Sequence, residues 1–258
     1  NTFLLEKSNE LGGLASLISK IPAKNRLADF PHYLMHRAEQ LDNLYIFKNT
    51  EGTPENIRKF HPNIIVSSTG SAPLLPPIAG LKDRIDNENH NIYSILGMIS
   101  HINDFPKDLE GKKVVVVGGG AVGLDVVEFF ADRNADISIV EMMDQIGRDL
   151  DPVSKNDTKT MMKKHNVHQL TKTALLEVKD SSFLVRGDGE PYELPFEYGF
   201  VCLGMRAQGQ LYQNLTEEFS SEDVEIMNIG DSQRARRIID GTQEGRNVLT
   251  VLEQKGYL

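Results

Sequence analysis

Residues Lys112–Glu141, KKVVVVGGGAVGLDVVEFFADRNADISIVE, decide how the chain is read. Two lysines lead into four valines, Val114–Val117, which end on Gly118. An unbroken β-branched run of this kind reads as a parallel strand buried on both faces. Gly118, Gly120 and Gly123 then fall in GxGxxG spacing. From Ala121 the pattern turns helical, with Val122, Val126, Phe129 and Phe130 largely on one face. A second β-branched run, Ile137–Val140, closes on Glu141. Strand, turn, helix and strand, with an acidic residue about 20 positions on, make the full dinucleotide-binding fingerprint.

Each part has a physical task. Gly118 permits the tight turn, Gly120 lets the backbone approach a pyrophosphate, and Gly123 lets helix and strand pack closely. The helix N-terminus, with Ala121 and Val122 among the candidate contacts, supplies unpaired N–H groups and partial positive charge. Glu141 can accept both ribose hydroxyls and would repel a 2′-phosphate. No basic residue follows until Arg148, so NAD(H) is expected over NADP(H).

A chain of 258 residues makes one large domain or two of ordinary size. A formal charge of −9 argues against a general nucleic-acid surface. The single cysteine, Cys202 in VCLG, reads as a small core residue, and leaves no CxxC pair, cysteine-held cluster or disulphide framework in this chain. The histidines are scattered; His32 and His36 lie four apart but without the glutamate of HExxH, so no metal site is expected. No apolar run is long enough for a membrane helix and no signal peptide is visible, so a cytoplasmic location is expected. The chain starts without Met in what reads as a strand, as a fragment would.

Outside the central stretch, Thr2–Leu5 reads as a strand ending at Glu6, with Gly12 and Gly13 following. Leu27–Leu41 has mixed helical periodicity, Leu44–Lys48 reads as a strand, and Thr53 with Pro54 as a helix start. Ile64–Val66 reads as a buried strand running into the turn Thr69-Gly70-Ser71, and the prolines to Pro77 as a connector. Asn91–His101 predicts a short helix, Asp149–His165 a surface helix, and Gly187-Asp188-Gly189 a hairpin turn. Phe200–Leu203 is a last buried strand stopped by Gly204; Glu225–Ile229, Gly230-Asp231 and a helix from Arg236 to Val251 follow. Asp231 could also serve as an N-cap.

Four stretches in order, EKSNELGGLA, IIVSSTGSAPLLPPIAG, VVVVGGGAVGLDVVEFF with Glu141, and NIGDSQRARRIIDGTQEG, resemble the glutathione-reductase-type FAD/NAD(P)-binding two-domain module. In particular they resemble its form in old-yellow-enzyme-related NADH:flavin oxidoreductases, the dienoyl-CoA reductase, enoate reductase and trimethylamine dehydrogenase type. The resemblance implies an α/β fold of two Rossmann-like domains, the second inserted in the first. It places a flavin-side domain at 1–109 and 205–258 and an NADH domain at 110–204. It puts Glu6 at the ribose of an adenine nucleotide, Thr69 and Gly70 at the domain crossover, and Gly204 in the pyridine-nucleotide cleft. Gly230 and Asp231 would approach the ribityl or pyrophosphate part of FAD, and Arg236 and Arg237 match the family's basic pair. The first strand and glycine-rich loop of the FAD fingerprint have no counterpart in this sequence, nor does an FMN/iron–sulphur barrel.

The implied function is hydride transfer from NADH to FAD, with electrons passing to a barrel domain that reduces an enoate- or enone-type substrate. That barrel is the expected partner, alongside a possible homo-oligomer. The alternative is a non-catalytic adenine-nucleotide-binding assembly module. No catalytic residue is singled out, because hydride chemistry is carried by the cofactors and the protein supplies positioning.

Overall fold

The computed structural model describes residues 1–257. The architecture is mixed α/β, with Rossmann-type parallel sheets, and the chain divides into two compact units. One comprises Asn1–Ser19, Lys24–Ala72 and Met205–Leu258; the other comprises Lys20–Ala23 and Pro73–Gly204.

The second unit is built on five parallel strands in the order Ile92–Tyr93, Tyr198–Val201, Lys113–Val117, Asp136–Val140, His168–Leu170. The valine strand lies near the middle and is buried on both faces, as its unbroken apolar run requires. On one face Phe130 packs 5.0 Å from Phe129, 5.1 Å from Phe105 and 4.8 Å from Phe200, ring centroid to ring centroid. These rings seat the helix Ala121–Ala131, whose buried side includes Val126, Val127, Phe129 and Phe130. On the other face Val115, Val117 and Val140 pack with Phe183 and Val185 of an antiparallel three-stranded sheet, and with Phe196 just after its edge strand Tyr192–Pro195. That sheet contains the expected hairpin, Ser182–Arg186 paired with Tyr192–Pro195.

The sequence places a domain boundary at residue 109, while the compact units divide between Ala72 and Pro73. Two long-range features draw the intervening segment into the second unit. The two-residue strand Ile92–Tyr93 pairs with Tyr198–Val201, and Leu81, Met98 and Phe105 are buried. The helix expected over Asn91–His101 is accordingly shorter, Ile95–Ser100, capped by Ser94, whose hydroxyl accepts the Gly97 N–H at 3.2 Å.

The surface helix after the fingerprint runs Pro152–Lys164 with Asp151 as N-cap and proline in its first turn. Ser154 donates through its hydroxyl and its N–H, and Val153 through its N–H, holding the Asp151 carboxyl below its usual range. A carboxylate with a depressed folded pKa stabilises the fold above its unfolded value, and that contribution is lost as pH falls through the folded one. Asp151→Ala should therefore melt lower than the parent near neutral pH. The difference should close as pH drops through and below the ordinary carboxylate range. Melting curves at several pH values check this; a gap that widened on acidification would contradict it.

In the first unit, Thr2–Leu5 pairs in parallel with Leu44–Phe47, and Ile64–Ser67 pairs in parallel with Glu225–Asn228. Among the described residues these are two separate two-stranded sheets. The second is backed by Leu215 and Phe219 of the helix Gln210–Glu218 and its C-terminal turn, a helix the sequence reading passed over. Arg58 ties Pro54–Arg58 to that helix, bonding Glu218 at 2.7 Å and Glu222 at 2.6 Å while its guanidinium lies over Phe219. Among the described residues no helix is long and apolar enough to cross a membrane.

Candidate functional site

The fingerprint residues of the second unit converge at the carboxyl ends of its central strands. Gly118 has φ 109°, and its N–H donates to the Val140 carbonyl at 2.8 Å. A Cβ there would lie 2.1 Å from the Cys202 carbonyl oxygen, so the turn leaves no room for a side chain. A Cβ at Gly123 would lie 1.9 Å from the Gly118 carbonyl oxygen, which is the close helix–strand approach the spacing predicts. Gly120 differs: the nearest atom to a Cβ there is an Asp149 carboxylate oxygen at 3.7 Å. The space in front of Gly120 is therefore free of close contacts, with the Asp149 carboxylate at its rim. Ala121 and Val122 open the helix, so their N–H groups have no intrahelical acceptor.

Glu141 ends its strand with both carboxylate oxygens engaged. Oε2 accepts the Gly119 N–H at 2.7 Å and Oε1 accepts the Met143 N–H at 2.8 Å. A carboxylate oxygen has lone pairs for more than one donor, so a ribose hydroxyl can still be accepted. Glu141 is thus part of the turn as well as a ligand candidate, a role that strand-end position alone does not show. Gly204 lies beyond the Tyr198–Val201 strand with open space where a side chain would be, and its carbonyl accepts the Leu74 N–H at 2.9 Å.

Cys202 is fully buried, and burial pushes its thiol up to about 12, with the Asp125 and Asp86 charges adding to the shift. A thiol so disfavoured as thiolate is a poor nucleophile. Iodoacetamide should leave Cys202 unmodified in the native chain at mildly alkaline pH and label it in denaturant. Native labelling at the unfolded rate, read by mass spectrometry, would contradict its placement.

The flavin-side candidates lie in the first unit. Glu6 closes the Thr2–Leu5 strand; its carboxylate accepts the Ser8 N–H and hydroxyl, each at 2.8 Å. Thr69 Oγ1 donates to the Gln208 carbonyl at 2.6 Å, and Gly70 O accepts the Gln208 N–H at 2.9 Å. Asp231 accepts the Ser71 hydroxyl at 3.1 Å and the Arg236 N–H at 3.0 Å. It does not cap the long helix Ile238–Gln254, whose N-cap is Arg237. Glu244 escaped the sequence reading: it accepts the Gly230 N–H at 2.6 Å and pairs with Arg236 at 2.5 Å. The Gly230 N–H and then the Arg236 guanidinium hold its carboxyl below the usual range. Thr69 and Gly70 are therefore tied to Gln208, while Gly230 and Asp231 belong to a hydrogen-bonded set with Ser71, Arg236 and Glu244. The contacts of Glu6 run to Ser8, Phe47 and Thr50 instead. Among the described residues no group of three or more His, Cys, Asp or Glu side chains is placed to hold a metal.

Two α/β units, one carrying a complete dinucleotide fingerprint, define a dinucleotide-binding class of fold. The sequence pattern of the pyridine nucleotide-disulphide oxidoreductases matches residues 35–227, and the chain belongs to that family. It is 25% identical to an NADH oxidase of Thermoanaerobacter brockii over 95% of this chain and 36% of that protein. It is 26% identical to a metal reductase of Desulforamulus reducens over 94% of this chain and 39% of that protein. The chain thus spans little more than a third of the length of these curated relatives. Its fold matches a 2-naphthoyl-CoA reductase with a TM-score of 0.79 and 23% identity, covering 95% of this chain and 35% of that one.

Proposed function

We propose that this chain is the NADH-accepting module of a larger flavin-dependent oxidoreductase. The observation that carries the reading is Glu141, held at the strand end between the Gly119 and Met143 N–H groups beside an open Gly120. In this reading Glu141 grips the adenosine ribose and sets a preference for NAD(H) over NADP(H). The N–H groups of Gly120, Ala121 and Val122 receive the pyrophosphate, and Gly204 leaves room for the nicotinamide half. Bound NADH supplies the hydride and FAD accepts it; the chain's residues bind, orient and exclude water. On the flavin side, Asp231 and Gly230 orient the ribityl or phosphate region, Glu6 takes the adenine ribose, and Thr69 and Gly70 lie at the crossover.

The old-yellow-enzyme-related resemblance extends this reading. It assigns the electrons to an FMN/iron–sulphur barrel that belongs to the same polypeptide or complex, acts on an enoate- or enone-type substrate, and works in the cytoplasm. The length of the relatives, which leaves most of each protein outside the match, supports a module of something larger.

A second reading is a non-catalytic adenine-nucleotide-binding assembly module. It is favoured by the first unit, where the Gly230 N–H is taken by Glu244 and the two parallel sheets stay separate. Anaerobic addition of NADH to the chain reconstituted with FAD separates the two. Bleaching of the visible flavin band supports the redox module; a colourless chain that retains an adenine nucleotide supports the second reading.

A further inference from the structure

The loop after Glu141 folds back onto the glycine turn. Gly147 N–H donates to the Gly119 carbonyl at 2.7 Å, while Glu141 accepts the Gly119 N–H. Both backbone groups of Gly119 are thus held by residues from beyond the second strand. The returning loop is itself pinned. The Met143 carbonyl accepts the Lys172 N–H at 2.8 Å, and Asp151 caps the next helix. Gly147 is buried, with φ 66°, and a Cβ there would meet Leu150 Cδ1 at 3.1 Å and Leu124 Cδ1 at 3.6 Å.

The peptide joining Gly119 to Gly120 is trans and planar, so its C=O and N–H point in opposite directions. Tying the Gly119 carbonyl to Gly147 therefore aims the Gly120 N–H away from the loop, and that N–H finds no acceptor among the described residues. We propose that Gly147 is a positioning residue for dinucleotide binding: its hydrogen bond orients the Gly119–Gly120 peptide so that the Gly120 N–H faces the pyrophosphate. This rests on the reading of the second unit as a dinucleotide site. Glycine is needed at 147 because the left-handed conformation strains residues with a Cβ, and asparagine tolerates it best among them.

The test uses the 258-residue chain, with Gly147→Ala and Gly147→Asn, titrated calorimetrically with NADH, ADP-ribose and adenosine. Gly147→Ala should weaken NADH and ADP-ribose, which carry the pyrophosphate, by about tenfold, and adenosine by less than about twofold. Gly147→Asn, which tolerates the left-handed backbone but sets the same Cβ against Leu150, should recover part of the loss. A merely structural role would lower all three ligands together, along with the melting temperature, and would overturn the proposal. So would NADH binding to Gly147→Ala unchanged from the parent. If the parent chain itself binds neither NADH nor ADP-ribose, the dinucleotide reading fails and the proposal falls with it.

Discussion

Gly118→Val should abolish the native packing of the second unit. The Cβ would be forced to 2.1 Å from the Cys202 carbonyl oxygen and 2.7 Å from its carbon, and both are backbone atoms that no rotamer change can move. The same residue has φ 109°, which a β-branched side chain does not adopt, and its N–H holds the Val140 carbonyl. Backbone strain costs about 1–3 kcal/mol and overpacking about as much again. Together they take a large share of the 5–15 kcal/mol typical of a whole domain, by order of magnitude (~). Hydrogen exchange over Lys113–Val117 and Asp136–Val140 is the direct readout; protection equal to the parent's would refute the argument. Gly120→Ala is the control. Its Cβ would have only Asp149, at 3.7 Å, for a neighbour, so the fold should persist while dinucleotide affinity falls. One turn then separates into a glycine required by the protein's own backbone and a glycine required by the ligand.

Glu141→Arg should weaken NADH binding by at least about tenfold and narrow or reverse the preference over NADPH. In the proposed reading, charge-assisted hydrogen bonds from the two ribose hydroxyls to Glu141 would be worth roughly 2–4 kcal/mol together, enough for at least about a tenfold preference for NADH. A 2′-phosphate would instead set two negative centres against each other. The structure adds a second cost. Arginine carries no acceptor, so the Gly119 and Met143 N–H groups both lose their partner. Glu141→Gln separates the two effects. Its amide keeps a hydrogen-bonding side chain of the same shape but presents NH2 to one of the two backbone donors. It should weaken NADH without attracting NADPH. Titration calorimetry with both dinucleotides decides, and comparable dissociation constants for NADH and NADPH in the parent would sink the assignment of Glu141.

Much of what depends on neighbours in the chain was legible in the sequence, although the local helix Gln210–Glu218 was passed over. Four valines in a row need cover on both faces, so Lys113–Val117 had to lie inside a sheet. Glycine spacing and helical periodicity over Ala121–Ala131 are local, as are Asp151 followed by Pro152 and the hairpin turn at Gly187–Gly189. The acid at the end of the second strand was equally plain. Tertiary structure decided what rests on pairing between distant segments, which leaves no periodic trace. The short strand Ile92–Tyr93 lies in the second compact unit, where Tyr198–Val201 offers it an edge, far along the chain from the residues that precede it. Glu244 reaches Gly230 because the long helix turns one face to that loop, and Gly147 reaches Gly119 because the chain doubles back after Glu141. A backbone N–H is the same group in every residue but proline, so nothing in the letters marks which one Glu141, Glu244 or the Gly119 carbonyl will hold.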